Sequence, residues 1–209
     1  SLVGSEMCIR DSQRCVVLRK NHPLALKNMT RQETDAAWYV LRVTYQRELP
    51  TKEYLDNLNI ENFVPFRMVR RRHSNGRFYR AREAAVHNYI FVHSTKRVID
   101  DLKKFRLPIL RYVMFPDNGE TRIMTVPEDQ MQHFIAVAGS LDEQVLYLSP
   151  LDVDLSKGDR VRITGGVFEG VEGVFMRVKN AREKRVVVKI DGVVAVATAS
   201  VPYMLIEKI

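Results

Sequence analysis

The sequence predicts an α+β protein in which a mixed domain precedes a small all-β domain. Between residues 36 and 139, runs of β-forming residues alternate with runs whose apolar residues recur at helical spacing. After Lys157 the helical spacing ends, and short apolar runs recur between glycines and charged residues. We therefore expect a sheet with helices packed on it in the first domain, and a barrel of about five strands in the second.

The amino-acid composition says more about the kind of partner this protein binds than about its fold. The 209 residues suffice for one large or two small domains, and the net charge of +8 favours a polyanionic partner such as nucleic acid. No apolar run approaches the ~20 residues of a membrane span. Cys8 and Cys15 are too few and too isolated for a disulfide scaffold or a metal site. We expect a cytoplasmic protein with no membrane contact, and residues 1–35, which lack a period and a signal peptide, as a flexible extension.

The first domain, residues 36–139, is expected to begin with a buried strand at 37–43. A helix should begin near Pro50 and end at Asn59, and a strand from Ile60 to Met68 should be interrupted by Pro65. The remaining expected elements are a strand at 89–93, a helix from Thr95 or Ser94 to Lys104, strands at 109–115 and 123–126 separated by a turn at 117–119, and a helix from Pro127 to about Ala138.

Residues 140–155 have no firm period and contain Pro150, so we expect a linker. The second domain, residues 156–209, contains short apolar runs between turn signals, one of which is Asp191-Gly192. The strands expected there are 161–163, 173–178, 185–190, 193–198 and 204–207.

A cluster of arginines occupies the middle of the first domain, around Asn75-Gly76, the strongest local signal for a two-residue hairpin turn. Charge runs of this kind are usually solvated surface. Arginine also suits phosphate, and the cluster contains no acid before Glu83, so we favour contact with nucleic acid. The predicted nucleic-acid-binding residues are Arg67, Arg70, Arg71, Arg72, Arg77, Arg80 and Arg82, extended around the first helix by Arg42, Arg47 and Lys52.

No pattern of residues predicts catalysis. His73, His87, His93 and His133 have no matched nucleophile or carboxylate, and Gly165-Gly166 is not followed by the Lys-Ser/Thr of a phosphate loop. We expect no catalytic residue, no metal and no cofactor.

The start of the second domain carries a glycine-rich motif. Gly158-Asp159-Arg160-Val161-Arg162-Ile163 is followed by a run in which glycines bracket a phenylalanine. This pattern resembles the KOW motif, which marks SH3-like barrels in ribosomal proteins and in transcription factors of the NusG family. The resemblance assigns the motif to Gly158, Gly166, Phe168, Gly170 and Gly173.

The first domain resembles the NGN domain of the NusG/RfaH family. Trp38-Tyr39-Val40 matches its opening motif, and Asn88-Tyr89-Ile90-Phe91-Val92 matches its strand after the basic hairpin. The chain departs from the family at Val86 and His87, where phenylalanine and proline are common. Asn88 in place of glycine resembles the specialised members, and the subgroup it resembles most is the antiterminators of surface-polysaccharide operons in Bacteroides-like bacteria.

The resemblance implies an antiparallel sheet with flanking helices, and a monomer that docks on the clamp helices of RNA polymerase and suppresses pausing. It places Tyr89, Phe91, Tyr112 and Val86 in the polymerase-binding pocket, and the arginines on DNA at the transcription bubble. From the residues alone, Tyr89 and Phe91 are more simply core. The KOW domain would recruit the ribosome or another factor. The alternatives are a KOW-containing ribosomal or RNA-binding protein and, with less support, an enzyme acting on nucleic acid.

Overall fold

The computed structural model describes residues 36–117, 119–140, 144–149, 153–179 and 181–209. The predicted extension at 1–35 and Asn118 of the predicted turn lie outside the described residues. No described helix combines the length and the apolar character needed to span a membrane.

The first domain is built on a five-stranded sheet in which the opening strand is central. The strands of this sheet are β1 (Ala37–Val43), β2 (Asn62–Phe63), β5 (Tyr89–Ser94), β6 (Leu110–Tyr112) and β9 (Thr125–Val126). Their order is β2-β5-β1-β6, and β9 also pairs with β1. All of the pairings are antiparallel. The expected antiparallel sheet is therefore confirmed.

Two hairpins extend the first domain as separate two-stranded sheets. One joins β3 (Phe66–Arg72) to β4 (Phe78–Ala84), and the other joins β7 (Met114–Asp117) to β8 (Glu120–Ile123). The break between β2 and β3 falls at Val64-Pro65, as the proline predicts, because proline cannot donate to a strand ladder. The predicted strand at 109–115 divides between β6 and β7.

Three helices cover the two faces of the main sheet, and each is near its predicted position. They are α1 (Glu48–Asn57), α2 (Lys96–Phe105) and α3 (Glu128–Ala138). The Oγ1 atom of Thr95 caps α2 by accepting a hydrogen bond from the Val98 backbone N–H at 3.4 Å. Leu55 of α1 and Ile99 of α2 are buried on the same side of the sheet, and α3 packs on the other side.

Trp38 ties the opening strand to the start of α3. Its indole N–H donates a 2.8 Å hydrogen bond to Glu128 Oε2, and its ring stacks on His93 at 5.1 Å. The Nδ1 atom of His93 lies 2.7 Å from Glu61 Oε2. The tryptophan of the opening motif is therefore buried in the core and also positions the third helix.

The second domain is a six-stranded antiparallel sheet. Its strands are β10 (Leu146–Leu148), β11 (Asp159–Ile163), β12 (Glu172–Arg177), β13 (Lys184–Ile190), β14 (Val194–Ala197) and β15 (Ile206–Lys208). Their order is β10-β14-β13-β12-β11-β15, and 3₁₀ turns lie at Leu155–Lys157 and Tyr203–Leu205. Four of the five predicted strands are present near their expected positions, whereas the strand expected at 204–207 begins only at Ile206, because Met204 and Leu205 belong to the 3₁₀ turn.

The sixth strand corrects the expected linker. β10 lies within residues 140–155 and pairs with β14, with Tyr147 opposite Val196. Its sequence, Leu-Tyr-Leu, is too short to show a period, and its partner is about fifty residues away, so only the tertiary structure defines it. The expected strand count was therefore one too low, and part of the linker is fixed to the second sheet.

Helix α3 forms a core that the two sheets share. Phe134 of α3 is fully buried against the Phe91 ring at 5.3 Å, and Val186 and Val188 of β13 belong to the same buried cluster. The side-chain amide of Gln130 donates a 2.6 Å hydrogen bond to the Lys189 carbonyl. The two domains are therefore packed on one helix.

Replacement of Phe134 by alanine tests this shared core. Phe134→Ala should lower the free energy of unfolding by about 3–5 kcal/mol, because removal of the ring leaves a cavity in the core that both sheets share. Urea unfolding should be followed by Trp38 fluorescence and by far-UV circular dichroism, and both signals should shift together. The control is Phe105→Ala. Phe105 is 69% exposed, so this substitution should lower the free energy of unfolding by no more than about 0.5 kcal/mol. A loss below about 1 kcal/mol for Phe134→Ala would contradict the shared core.

Candidate functional site

The arginine hairpin is the β3–β4 ribbon, and its turn differs from the predicted one. Strand pairing ends at Arg72 opposite Phe78, and the His73 backbone N–H then donates to the Arg77 carbonyl at 2.8 Å. Gly76 has a φ of +84°, whereas Asn75 does not have a positive φ. The predicted two-residue turn is thus wrong. The loop has three residues, and Asn75 acts through its side-chain oxygen, which accepts from the Arg77 N–H at 3.0 Å.

Strand register divides the predicted arginines between two faces, because residues opposite each other in an antiparallel pair share a face. Arg67, Glu83, Arg71 and Tyr79 lie on one face, which we call the glutamate face. The other, the arginine face, consists of Phe66, Met68, Arg70, Arg72, Phe78, Arg80 and Arg82. Arg77 follows the loop, where its carbonyl accepts from the His73 N–H, and it is exposed.

On the glutamate face, the positive charge is partly neutralised. Glu83 Oε1 lies 2.9 Å from Arg71 Nη2, and Glu83 Oε2 lies 3.9 Å from Arg67 Nη2. Tyr79 stacks on His73 at 4.1 Å. These arginines have an internal carboxylate partner, which weakens their attraction for an external anion.

On the arginine face, the guanidinium groups lie over aromatic rings. The Arg70 guanidinium is 3.9 Å from the Phe78 ring centroid, and that of Arg82 is 3.8 Å from the Phe66 centroid. Arg72 lies 5.8 Å from the Phe78 centroid and donates a 3.3 Å hydrogen bond to the Gly76 carbonyl. Stacked guanidinium groups keep their charge and their planar shape, which suits phosphate and bases. The sequence did not identify Phe66 and Phe78 as part of this surface. Phe78 is paired with Arg72 across the hairpin, so its position after the turn could have indicated it.

The arginines outside the hairpin take separate positions. Arg42 is exposed on β1, opposite Tyr89 of β5 and Arg111 of β6. Arg111 donates a 2.8 Å hydrogen bond to the Leu110 carbonyl and was not identified from the sequence. Arg42 and Arg111 are like charges opposite each other on neighbouring strands, and a bound anion would reduce their repulsion. Arg47 is exposed before α1.

Lys52 is less available than the sequence suggests. Its ammonium lies 3.0 Å from the Asp56 carboxylate one turn along α1. Burial raises the pKa of Asp56, but the hydrogen bonds from Lys52 and Asn62 lower it more, and the net shift is downward. An ion pair within a helix satisfies both charges locally.

A cleft of about 830 Å³ separates the hairpin base from the second domain. One wall carries the hairpin residues Phe66, Arg67, Met68, Val69, Arg70 and Arg80, and the other carries Ala138, Val145, Leu146 and Tyr147. The Tyr147 hydroxyl donates a 3.1 Å hydrogen bond to the Ala138 carbonyl. Burial raises the pKa of Tyr147 to about 12, although the nearby Arg67 charge opposes the shift.

A buried carboxylate fixes the junction between the hairpin and β5. Glu48, only 2% exposed, accepts a hydrogen bond from the Asn88 backbone N–H. Asn88 has a φ of +68°, a left-handed conformation that glycine and asparagine adopt more readily than other residues. This conformation explains why asparagine can replace the glycine expected at this position.

The residues predicted to bind polymerase separate into three environments. Tyr89 and Val86 are half-buried and pack at the margin of the cluster that surrounds α3. Phe91 lies on the same sheet face as Tyr89, as the spacing of two predicts, but it is 0% exposed beneath Phe134. In this structure the Phe91 ring is core, so it can support a binding surface but not touch a partner.

Tyr112 does not lie beside Tyr89 and Phe91, and that expected placement is wrong. It pairs with Leu41 and therefore points to the opposite face of the sheet, where its hydroxyl donates a 3.0 Å hydrogen bond to Asp100 Oδ1. Lys103 Nζ lies 3.8 Å from the centroid of the ring. The residues at 109–115 could not reveal this face, because it depends on which residue of β1 stands opposite.

The glycine-rich motif forms the loop between β11 and β12. Gly170 has a φ of +82°, and a Cβ atom on Gly173 would come within 2.6 Å of the Val187 carbonyl oxygen. Phe168 is buried between the flanking strands. Gly166 belongs to the same loop, and Gly158 precedes β11.

Among the described residues, no group of three or more His, Cys, Asp or Glu side chains is placed to hold a metal ion. The histidines with partners act within the fold. His93 contacts Trp38 and Glu61, and His133 Nδ1 accepts a 3.4 Å hydrogen bond from the Glu172 backbone N–H.

Removal of the Tyr112 hydroxyl tests its structural placement. Burial, followed by the hydrogen bond to Asp100, raises the pKa of the Tyr112 phenol above its usual 10.0. The folded state therefore holds this proton more tightly than the unfolded chain does. The resulting stabilisation is complete below about pH 10 and is lost as the pH rises above that value.

Tyr112→Phe should lower the free energy of unfolding at pH 7 by about 1 kcal/mol, since the Asp100 carboxylate loses a donor. Between about pH 9 and pH 11 its stability should fall less than that of the wild type. Urea unfolding across this range measures both effects. Tyr45→Phe is the control, because that ring is 83% exposed. An unchanged pH profile for Tyr112→Phe would contradict the assigned hydrogen bond.

The family model described as "Transcription termination factor nusG" matches residues 36–135, the segment from β1 into α3. No curated protein matches the chain. The matched segment includes both hairpins and the whole of the main sheet. The protein is therefore a transcription factor of the NusG/RfaH type, with residues 36–135 as its NusG-family domain.

Proposed function

We propose that this protein is an elongation and antitermination factor that binds RNA polymerase through its first domain, bridges the clamp and suppresses pausing or termination. The family match to residues 36–135 is the observation that carries the proposal. Surface-polysaccharide operons are the proposed targets, from the sequence resemblance alone. Since RNA polymerase is the proposed partner, we place the protein in the cytoplasm as a monomer.

The proposed polymerase contact centres on Tyr89. Its half-buried ring packs against the cluster around α3, as the half-buried Val86 also does. A ring that is partly apolar and partly accessible suits a protein interface, because it contributes apolar area and a hydroxyl at low entropic cost. Phe91 and Phe134 support this surface from below.

The proposed nucleic-acid contact uses the arginine hairpin together with Arg42. The hairpin is fixed at its base, where the Ala85 backbone N–H donates to the Pro65 carbonyl at 2.8 Å and Glu48 holds Asn88. A rigid arm anchored beside the proposed polymerase surface would place its arginines on DNA at the transcription bubble. The phosphate contacts would make binding fall with salt.

The second domain is proposed to be an SH3-like KOW barrel. Strands β15-β11-β12-β13-β14 follow one another in a continuous antiparallel order, with the glycine motif between β11 and β12. The proposed partner of this domain is the ribosome or another factor. The same motif supports the alternative function, a ribosomal or RNA-binding protein with no role at the polymerase.

A polymerase pull-down separates the two functions. Tyr89→Ala should reduce capture of RNA polymerase by about tenfold, in the range of an interface anchor. Tyr79→Ala is the matched control, since Tyr79 is exposed on the hairpin and belongs to the glutamate face. We expect the control to capture polymerase like the wild type.

The alternative function, a ribosomal or RNA-binding protein, predicts the opposite result for the same variants. If Tyr89→Ala and wild type capture equally little polymerase, and both sediment equally with ribosomes, the polymerase role is wrong and the ribosomal one is supported. A nuclease assay with a divalent metal addresses the enzyme alternative, for which we expect no activity.

A further inference from the structure

The cleft beside the hairpin is bordered by two strand edges. In the part of the chain that the structure describes, β3 pairs only with β4, and its other edge is open. The opposite wall carries Val145, Leu146 and Tyr147, and β10, to which the last two belong, is the outermost strand of its sheet. An open edge presents backbone N–H and C=O groups to which another strand can add. The cleft volume of about 830 Å³ is within the range of ligand sites.

The cleft meets β3 at its edge and not at one of its faces. Five consecutive residues, from Phe66 to Arg70, line the cleft. Because successive side chains of a strand point to opposite faces, a cleft on a single face could not be lined by all five. Arg67 and Val69 therefore lie on one side of this edge, and Met68 and Arg70 lie on the other.

Two hydrogen bonds at the ends of the ribbon establish which backbone groups face the cleft. The Ala85 N–H donates to the Pro65 carbonyl, and the His73 N–H donates to the Arg77 carbonyl, both at 2.8 Å. In an antiparallel ladder the residues that bond to the partner strand alternate with those that do not, so the odd-numbered residues of β3 bond to β4. The even-numbered residues point their N–H and C=O groups away from β4, and those that line the cleft are Phe66, Met68 and Arg70.

The two arginines of this edge are available to carboxylates. Arg70 is exposed, and its guanidinium lies 3.9 Å from the Phe78 ring centroid, a contact that leaves its N–H donors accessible. The Arg67 side chain is 56% exposed, and its distance of 3.9 Å from Glu83 is at the outer limit of an ion pair. Exposed ion pairs contribute little affinity, so backbone hydrogen bonds would supply most of it and the arginines would select the sequence.

The order of residues along the edge defines the sequence that fits it. Arg67 and Arg70 are three residues apart, with Met68 and Val69 between them. Residues that stand opposite each other in an antiparallel pair share a face. A segment with two acids on either side of two apolar residues would therefore place each acid beside an arginine. The described lining residues contain no carboxylate that would repel it.

Charge argues against two other occupants of the edge. A second copy of β3 would bring its own arginines against Arg67 and Arg70, and charged edges of this kind prevent self-pairing. Residues 1–35 contain six Lys and Arg against four Asp and Glu, and nowhere do they have two apolar residues flanked by acids. The edge is thus better matched to a segment of a different protein.

We propose that the open edge of β3 binds an extended acidic segment of a partner protein as an added antiparallel strand. The segment has the order acid, apolar, apolar, acid. Its backbone bonds to Phe66, Met68 and Arg70, and its carboxylates lie beside Arg67 and Arg70. The apolar wall at 145–147 covers the added strand from the second domain. This interaction goes beyond the proposed function, because it involves neither the polymerase clamp nor nucleic acid.

Binding is measured on the full chain by fluorescence anisotropy with the labelled peptide Glu-Val-Val-Glu-Phe at about 0.1 M salt. The double variant Arg67→Ala/Arg70→Ala should weaken binding by about tenfold, since two exposed ion pairs are lost. The matched control is Arg97→Ala/Lys104→Ala, which removes two exposed charges from α2 and should change binding by less than about twofold. The peptide Lys-Val-Val-Lys-Phe should bind at least about tenfold more weakly than the acidic peptide. The unfolding curve of each variant is compared with wild type first.

A pair of methylated peptides separates strand addition from attraction between charges. In the antiparallel pairing the first valine of the peptide stands opposite Val69 and the second stands opposite Met68. Methylation of the second valine nitrogen removes the donor to the Met68 carbonyl and should weaken binding by at least about tenfold. Methylation of the first valine nitrogen, which points away from β3, should weaken it by less than about threefold.

Amide hydrogen exchange followed by NMR locates the added strand. Saturation with the peptide should slow the exchange of the N–H groups of Phe66, Met68 and Arg70. The N–H groups of Arg67 and Val69 already bond to β4 and should exchange as before.

The proposal is overturned if the two methylated peptides bind alike, or if the basic peptide binds as tightly as the acidic one. Slow exchange of the same three amides without peptide would also overturn it. If that protection grows with protein concentration, a second copy occupies the edge, and if it is independent of concentration, another part of this chain does. These assays contain no polymerase and no nucleic acid, so their failure leaves the pull-down result for Tyr89→Ala unaffected, and the reverse also holds.

Discussion

The register between β1 and β5 determines which face of the main sheet each helix covers. Val40 stands opposite Phe91, and Leu41 stands opposite Ile90. Because side chains alternate along a strand, this register sends Phe91 toward α3 and Ile90 toward α1 and α2. A slip of one residue would exchange the two faces and bury the wrong set against each helix.

The same register positions the arginine hairpin. β5 begins one residue after Asn88, whose backbone N–H is held by the buried Glu48 and whose carbonyl accepts a 2.9 Å hydrogen bond from the Val43 N–H. The hairpin is thus attached at its base to the most buried strand pair of the domain. Its division into a glutamate face and an arginine face then determines which guanidinium groups lie near the Glu83 carboxylate and which lie over aromatic rings.

Local chemistry explains which parts of the fold could be predicted. The break at Pro65 and the Thr95 cap follow from the residues themselves, as do the valine-rich strands of the second domain. Most of the predictions that failed concern positions set by residues far away in the sequence. The face of Tyr112 is set by Leu41, the burial of Phe91 by Phe134, and the strand β10 by β14. The predicted turn failed for a local reason, since Asn75 uses its side chain and leaves the positive φ to Gly76.

A pausing assay with purified RNA polymerase tests whether the two faces of the hairpin have different roles. Single-round transcription is followed with wild type, Arg70→Ala and Arg71→Ala while salt and DNA sequence are varied. We expect Arg70→Ala to lose most of the suppression of pausing, whereas Arg71→Ala, whose charge is already paired with Glu83, should retain it. Equal loss in both variants, or full suppression by Arg70→Ala, would show that the two faces do not differ in function.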